Sequence, residues 1–537
     1  MRRTHLVCLC FLLLPGGELA LGATDIGGLV CTDTTLTAAG NPHVVTSSVV
    51  VGCGATLTIQ PGVVVSFPRS LRGFAIGSGS FGPGTLKARG TPGSPVVFTS
   101  AELTPQPGDW VSINFTEQSV DAVFDNQGAY LDGCVLEHAV VEYAGAGGAT
   151  GAITALHSGP YIRGCSIRGN ATAGVSADSS PGDTPIRIEG TEIMDNADGG
   201  IYIGGELGGH IIRGNFIARN TSTRGTGGVL IWGVPEHFAE TGVTVCDNTI
   251  QDNQSVFGGL SIRDSSNAVV CRNRITGNQP MGLNMYEVRV ATVSSNHIVG
   301  NHGVGISATG GGSYVVFSRN VIRSNEGGGI LAEGLYSSVL RENLIIGNQS
   351  PFQGAGVSFQ GGSDITMTGS IIANNISTRS EPGDVGCPHG AGGIYASASG
   401  LLLSVDGEPP NALIGNSGYD VFNDNVFSGS ALDDIDARNV WWGTRDIARI
   451  QERICDCFDD LTRACVLPAP WMQTGLFDFD GNGSIQTGDS SGFVPCISAS
   501  GPGVPAPEGN CAKGDTDADG DIDLFDFALF QTLIHAP

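Results

Sequence analysis

Lysine is almost missing from this chain. Its 537 residues include only Lys87 and Lys513, so arginine supplies nearly all of the 26 cationic side chains that stand against 52 acidic ones. The net charge of −26 excludes nucleic acid and an anionic membrane as partners, since both require a cationic footprint. Long apolar runs are also missing: after the N-terminal stretch, no segment approaches the about 20 consecutive apolar residues of a transmembrane helix. No glycine cluster stands between a strand pattern and a helix pattern, which excludes a phosphate-binding loop. With no lysine in the repeat region described next, a lysine base cannot operate there.

What the chain has in abundance is a repeat. The phrase Asn-x-Ile-x-x-Asn, followed by Gly-Gly-Ile/Val-x-Ile/Ala, returns about every 24 residues. Its first half begins at Asn215, Asn248, Asn273, Asn296, Asn320 and Asn343, with weaker copies at Cys165, Thr191, Ser370 and Asn411. The second half includes Gly174-Val175, Gly200-Ile201, Gly228-Val229, Gly259-Leu260, Gly282-Leu283, Gly305-Ile306, Gly329-Ile330, Gly356-Val357 and Gly393-Ile394. Each half is too short for a buried helix, and its apolar residues alternate, as in a strand with one inward face: Cys271, Asn273 and Ile275, or Leu260 and Ile262. One repeat cannot bury that face alone, so repeats must stack about 4.8 Å apart. The 82 glycines and the asparagines are expected at corners that need left-handed backbone. An inward asparagine is expected to hydrogen-bond its copies above and below. The fold class is therefore all-β, a parallel solenoid.

Residues 1–22 read as an export signal: Arg2-Arg3, the apolar run Leu6 to Leu14, and the small-x-small site Ala20-Leu21-Gly22. The mature protein is expected to be secreted or held at the cell surface. Removing Cys8 and Cys10 leaves an even number of cysteines, as suits an oxidising compartment. Cys246 and Cys271 should stack one coil apart, as a disulfide or as a column of buried thiols. Cys455 or Cys457 with Cys465, and Cys496 with Cys511, would close short loops.

The repeat resembles the right-handed parallel β-helix of pectate-lyase-like, carbohydrate-binding and sugar-hydrolysis proteins. Residues 31–130, with GATLTIQPGVVVSF, GTLKARGTPGSPVVFTS and GDWVSINF, resemble the opening coils of such proteins. The phrase Ala437-Arg438-Asn439-Val440-Trp441-Trp442-Gly443 resembles their closing coil. The expected organisation is a signal (1–22), an N-terminal cap with first coils (23–130), the β-helix (131–445) and a C-terminal cap (446–473) in which Trp441, Trp442 and Trp471 cover the last coil. Longer intervals at Trp232 to Glu240 and at Arg379 to Glu408 mark where loops should wall a binding face.

Residues 474–537 form a different module. Asp478, Asp480, Asn482, Ser484 (through its carbonyl), Gln486 and Asp489 place oxygens at positions 1, 3, 5, 7, 9 and 12 of a calcium loop, with Gly483 at 6. Asp515, Asp517, Asp519, Asp521, Asp523 and Asp526 repeat the spacing around Gly520. With aspartate at position 12 and one helix per loop, the module resembles a dockerin of type I, a small α-helical EF-hand-like unit. The resemblance implies Ca²⁺ and attachment to a cohesin-like or cell-surface protein. Positions 10 and 11 are Thr487-Gly488 and Leu524-Phe525, unlike the usual Ser-Thr pair.

The polygalacturonase motifs (Asn-Thr-Asp, Gly-His-Gly, Arg-Ile-Lys), the pectate-lyase Asp-His and Arg-x-Pro-x-x-Arg, and the epimerase Asp-Pro-His-Glu are all missing. Register supplies a candidate face instead. The last residue of each Gly-Ile-x-Ile-x strand points outward, giving the column Trp232, Arg263, Tyr286, Thr309, Glu333 and Gln360 with Asp264 and Glu287 beside it. Trp232, Arg263, Tyr286 and Gln360 are the expected glycan-binding residues, since a sugar strand needs an aromatic platform and hydroxyl partners. Glu333, Glu287 and Asp264 are the acid/base candidates should the chain hydrolyse its ligand. Two functions follow: a secreted protein that binds or structurally presents to polysaccharide and is held by its calcium module, or a polysaccharide hydrolase or lyase working along the same face.

Overall fold

The structure is a computed structural model. It describes residues 23–223, 225–233, 242–311, 314–379, 387–403, 405–426, 434–470, 472, 475–496, 511, 513, 514, 522, 526, 527, 530 and 531.

Each coil contributes three short strands, for example Thr244–Cys246, Thr249–Gln251 and Leu260–Arg263. Stacking them in parallel register builds one sheet of 16 strands and one of 29. Inward positions repeat from rung to rung: Ile217, Ile250, Ile275, Ile298, Ile322, Ile345 and Ile372 form one column, all with no exposed surface. β-Branched residues suit this half-buried pleat, and each fully buried isoleucine contributes about 2 kcal/mol relative to exposure. The first rung is Thr24–Val30, paired in parallel with His43–Val51. Early coils are filled by larger rings, with Phe67 stacked on Trp110 at 4.1 Å.

Two buried asparagine ladders run along the coils. In the longer one, Asn170, Asn196, Asn220, Asn253, Asn278, Asn301, Asn325, Asn348 and Asn375 each donate Nδ2–H to the Oδ1 of the next, and Asn375 donates to Asn416. The second hydrogen of Asn278 reaches the Ile250 carbonyl, and its Oδ1 also accepts the Asn253 backbone N–H. The ladder has a polarity, and its ends match it. At the first rung the Ala144 N–H donates to Asn170 Oδ1; at the last, Asn416 Nδ2 donates to the buried carboxylate of Asp420, which pairs with Arg453 at 2.9 Å. A carboxylate is an acceptor only, so it terminates a chain that always delivers a donor. The shorter ladder runs through Asn215, Asn248, Asn273, Asn296, Asn320 and Asn343.

One expectation is corrected here. The ladder asparagines do not occupy the left-handed corners. Positive φ falls on the residue just before them, at Asp247, Arg272, Ser295, Arg319 and Glu342. These side chains face outward and form cross-rung pairs, Arg272 with Asp247 at 2.7 Å and Arg319 with Glu342 at 2.7 Å. The asparagine is at its position for its amide, and the residue before it carries the turn.

Cys246 and Cys271 are rung partners and form a disulfide. Of the open alternatives near the C-terminus, Cys457 bonds Cys465, whereas Cys455 bonds Cys387 across 68 residues. Cys31 bonds Cys53 and Cys496 bonds Cys511. Cys134 and Cys165 are buried free thiols whose pKa burial pushes up to about 12. Residues 446–473 are more than a helical lid. After the helix Ile447–Glu452, the strands Ile454–Cys455 and Val466–Leu467 each extend one of the two sheets. Trp441 and Trp442 are buried; Trp471 lies outside the described residues. No helix among the described residues is long and apolar enough to cross a membrane.

His210 is buried in the 16-strand flank, where its Nδ1 accepts the Ile186 N–H. Burial pushes its pKa down to about 4, so the fold holds the neutral ring. That contribution is complete above the unfolded value of about 6.5 and is lost as pH falls from there towards 4. Replacing His210 by Gln should flatten the dependence of the denaturant midpoint on pH between about 6.5 and 4; an unchanged slope would contradict this. Asn296→Ala should cost about 1–3 kcal/mol for each buried ladder group left without a partner, measured by the same denaturation.

Candidate functional site

The outward column expected from the repeat is assembled in register. Trp232 pairs with Arg263, Arg263 with Tyr286, Tyr286 with Thr309, Thr309 with Glu333, and Glu333 with Gln360. Strand alternation places all six on the outer face, and successive members are one rung, about 4.8 Å, apart. Trp232 is half exposed, and its indole Nε1–H donates to Asp264 Oδ2 at 2.7 Å. The Arg263 guanidinium lies between the rings of Phe257 and Tyr286, 4.5 and 5.1 Å from their centroids.

Asp264 and Glu287 follow the strand ends with φ of 48° and 53°, which turns each carboxylate back towards the neighbouring aromatic. The Tyr286 phenol is raised above its usual 10, first by its hydrogen bond to Glu287 and then by that carboxylate's charge. Asp264 is therefore an acceptor for the Trp232 indole, and Glu287 acts on the Tyr286 phenol. Glu333 lies two rungs from Tyr286 and is exposed. The Gln360 amide turns back to donate to Ser358 Oγ on its own strand at 2.8 Å. The column is a row of braced aromatic and polar groups.

The neighbouring outward position of the same strands holds what register reasoning on the last residue alone overlooks. Asn114, Thr154, Ser176, Tyr202 and Leu230 are consecutive rung partners, and they floor an open groove of about 1000 Å³. Its walls include the turn 147–150, Asp178 and Leu156 at the strand ends, and Asp198, Ser222 and Thr226 at the opposite corner. Thr154 Oγ1 donates to Asn114 Oδ1 at 2.8 Å, and Ser222 Oγ donates to Asp198 Oδ1 at 3.0 Å. Partial burial raises the Tyr202 phenol above 10. Gly204 makes room for that ring: a Cβ there would lie 2.7 Å from the Tyr202 hydroxyl. Leu156, Asp178, Gly204 and Trp232 are rung partners, so Trp232 continues one wall of the groove and links it to the expected column. Beyond Leu230 the floor positions Ser261, Asn284 and Ser307 no longer line it, and the groove ends. The signal was present in sequence as the x of each Gly-Ile-x-Ile. Of the expected walls, residues 234–241 and 380–386 lie outside the described residues.

In the C-terminal module, one oxygen each from Asp478, Asp480 and Asp489 lies within 4.8 Å of the others. Asp478 and Asp489 have no exposed surface, and Asp478 Oδ1 has no hydrogen-bond partner. A buried carboxylate oxygen without a donor is costly unless a cation meets it, so the donor set fits a hard oxygen-binding ion. The loop backbone is already wound: the Gly483 N–H donates to Asp478 Oδ2, Asn482 N–H to Asp480 Oδ1, Ser484 N–H to Asn482 Oδ1, and Asp480 N–H to Asp489 Oδ1. The Gln486 N–H donates to Asp489 Oδ2, and the Asp489 N–H donates to the Gln486 carbonyl. The helix that follows is only Ser490–Phe493. In the second loop Asp526 is buried, while Asp515, Asp517, Asp519, Asp521 and Asp523 lie outside the described residues.

Comparison with known proteins agrees with this architecture. Residues 150–315 and 227–405 match the family described as right handed beta helix region, and residues 28–127 match the pectate-lyase like beta helix domain. The chain carries right-handed β-helix repeats of the pectate-lyase-like kind. No curated protein matches it. Among solved structures, the β-helix is similar to the A-module of mannuronan C-5 epimerase AlgE4 from Azotobacter vinelandii, at 14% identity over 79% of this chain and 90% of that one (TM-score 0.36). It is similar to the periplasmic alginate epimerase AlgG at 12% identity over 72% and 74% (TM-score 0.30). It is also similar to a GH136 lacto-N-biosidase from Eubacterium ramulus at 13% identity over 70% and 63% (TM-score 0.33). These likenesses concern the coil alone.

Replacing Glu287 by Gln should lower the Tyr286 phenol towards 10, because the accepting charge is lost. Alkaline difference absorbance, with Tyr286→Phe to assign the signal, would show it; an unmoved titration would contradict the Glu287–Tyr286 bond.

Proposed function

We propose that this is a secreted β-helix protein that binds an extracellular polysaccharide along the groove floored by Asn114, Thr154, Ser176 and Tyr202. Its C-terminal calcium module serves attachment. The observation that carries this reading is the open groove itself, which leads onto Trp232. A glycan strand presents alternating hydroxyls and flat apolar faces. Small hydroxyl and amide side chains one rung apart, Tyr202 on the floor and Trp232 along the wall complement it. Among the described residues the groove's charged lining is Asp178 and Asp198, while Arg224, next to the lining residues Ser222 and Gly225 in the chain, lies outside the described residues. That charge pattern favours a neutral glycan over a polyuronate, which two carboxylates would repel.

The enzymatic reading uses Asp264, Glu287 and Glu333. Asp264 already accepts a hydrogen bond from Trp232, and Glu287 lies beside the Tyr286 phenol and raises it; this supports a positioning role for both over acid/base chemistry. Attachment would involve a cohesin-like or cell-surface protein. The Thr487-Gly488 edge of the first loop is exposed to a partner.

Affinity electrophoresis in neutral and uronate polysaccharides tests the reading. The parent should be retarded by a neutral glycan, and Tyr202→Ala with Trp232→Ala should lose about tenfold in affinity for each aromatic, about 1.4 kcal/mol apiece. Equal retardation of parent and double variant in every glycan would overturn it. Reducing-sugar and unsaturated-product assays on the same glycans should stay at background, and steady product release would establish the enzymatic alternative.

A further inference from the structure

The outward columns of the Asn-x-Ile strands change character along the solenoid. At one position the series reads Phe216, Thr249, Arg274, His297 and then Val321, Leu344, Ile371, Ala412. Two residues on it reads Gln251, Thr276, Val299, Arg323 and then Ile346, Ala373, Ile414. These positions face away from the core, yet Val321, Leu344, Ile371, Ala373 and Ala412 are each at most 4% exposed. They are covered by the C-terminal module. Phe477, Phe479, Phe493, Ile522 and Phe530 share one apolar cluster with them and with Trp441.

The cation loop is part of that contact. Phe477, fully buried in the cluster, directly precedes Asp478, and its φ of 59° turns the ring into the cluster as the chain enters the loop. Thr444 bridges Ser484, and the Arg445 guanidinium donates to the Gly481 carbonyl inside the loop. Gly475 is held against the Trp441 ring, where a Cβ would lie 2.3 Å from it. Phe493, stacked on Phe530 at 4.9 Å, lies just beyond Asp489. The two carboxylates without exposed surface, Asp478 and Asp489, thus sit between the anchoring rings, and Asp478 Oδ1 remains without a donor. Without a cation, this arrangement holds carboxylate charge beside an apolar interface, at a cost that opening the loop to water would relieve.

We propose that Ca²⁺ in the Asp478–Asp480–Asp489 loop latches the C-terminal module onto the flank of the last coils, so that its removal releases the module and uncovers the Val321–Leu344–Ile371 stripe. This rests on the calcium reading above. It differs from a free tether, because the face that calcium organises is already occupied by the protein's own solenoid.

Hydrogen exchange of the full chain, read at residues 475–496 with calcium and with chelator, tests the latch alongside calorimetric Ca²⁺ binding. Calcium should slow exchange there at least tenfold and suppress binding of an apolar dye, with the coils around Asn296 unchanged. Asp478→Asn should behave in calcium as the parent does in chelator. Leu344→Asp alters the covered stripe and leaves the inward core intact. It should release the module in calcium and weaken Ca²⁺ binding by the factor that calcium contributes to docking, since the coupling is reciprocal. Measured Ca²⁺ binding with equal protection in both conditions would overturn the latch alone. No Ca²⁺ binding at millimolar concentration would overturn both the latch and the calcium reading.

Discussion

The buried amide ladders are the constraint on which the rest of the structure depends. A parallel solenoid of short strands could slip by one residue at any rung, and a slip would exchange its inward and outward faces. Isoleucine columns alone resist this weakly, because apolar contact is not directional. An asparagine ladder is directional. Each Nδ2–H needs the Oδ1 of the next rung, each Oδ1 accepts from the rung before, and a displaced copy would leave several buried polar groups without partners. Closure of the longer ladder by the Ala144 N–H and by the Asp420 carboxylate shows the same rule at its ends. Ten rungs are held in one direction by one type of bond.

Once register is fixed, the outward positions are released from any packing rule, and function can be written there coil by coil. The groove and the braced column use the two outward positions of one set of strands in different segments of the solenoid, with Trp232 at their junction. In the 16-strand sheet, the outward position Arg89, Glu137, Arg163, Glu189 and Arg213 alternates in charge from rung to rung, each anion lying between cations as cross-strand pairing favours. Along that column opposite charges face each other from rung to rung. Among the described residues the groove side instead presents carboxylates, hydroxyls and a phenol. The difference between flanks bears on which ligand can approach, independently of any likeness in fold.

The coils were legible in sequence because their determinants are local and repeated. Asn-x-Ile-x-x-Asn states strand, inward face and ladder in six residues, and the register of Trp232 through Gln360 followed by counting. The left-handed corners were misplaced by one residue, since the amide and the turn are neighbours in the phrase and only geometry separates them. The floor of the groove was overlooked because Thr154, Ser176 and Tyr202 share no residue type. An outward column is recognisable by what surrounds it, and the turn 147–150 and Asp198 reach it from other parts of the coil. Cys387 with Cys455 was out of reach for a related reason: the closing coil brings them together across 68 residues, and no repeat spans that distance.

The C-terminal contact shows how a non-repeating partner leaves its trace on a repeating scaffold. Solvent-facing columns are polar by default, and in the coils before Val321 these columns are mostly polar, with Thr249, Arg274, His297, Gln251 and Thr276 beside Phe216 and Val299. The change to Val321, Leu344, Ile371 and Ala412 has no use to the solenoid itself, whose core is filled by Ile322, Ile345 and Ile372 on the opposite face of the same strands. An apolar stripe of that length left in water would invite association between copies. It is explained only by something that covers it, and Phe477, Phe493 and Phe530 do. The stripe and the rings of the C-terminal segment therefore bury each other. A chain whose last coils evolved outward-facing polar residues would have no need to keep its small domain in contact.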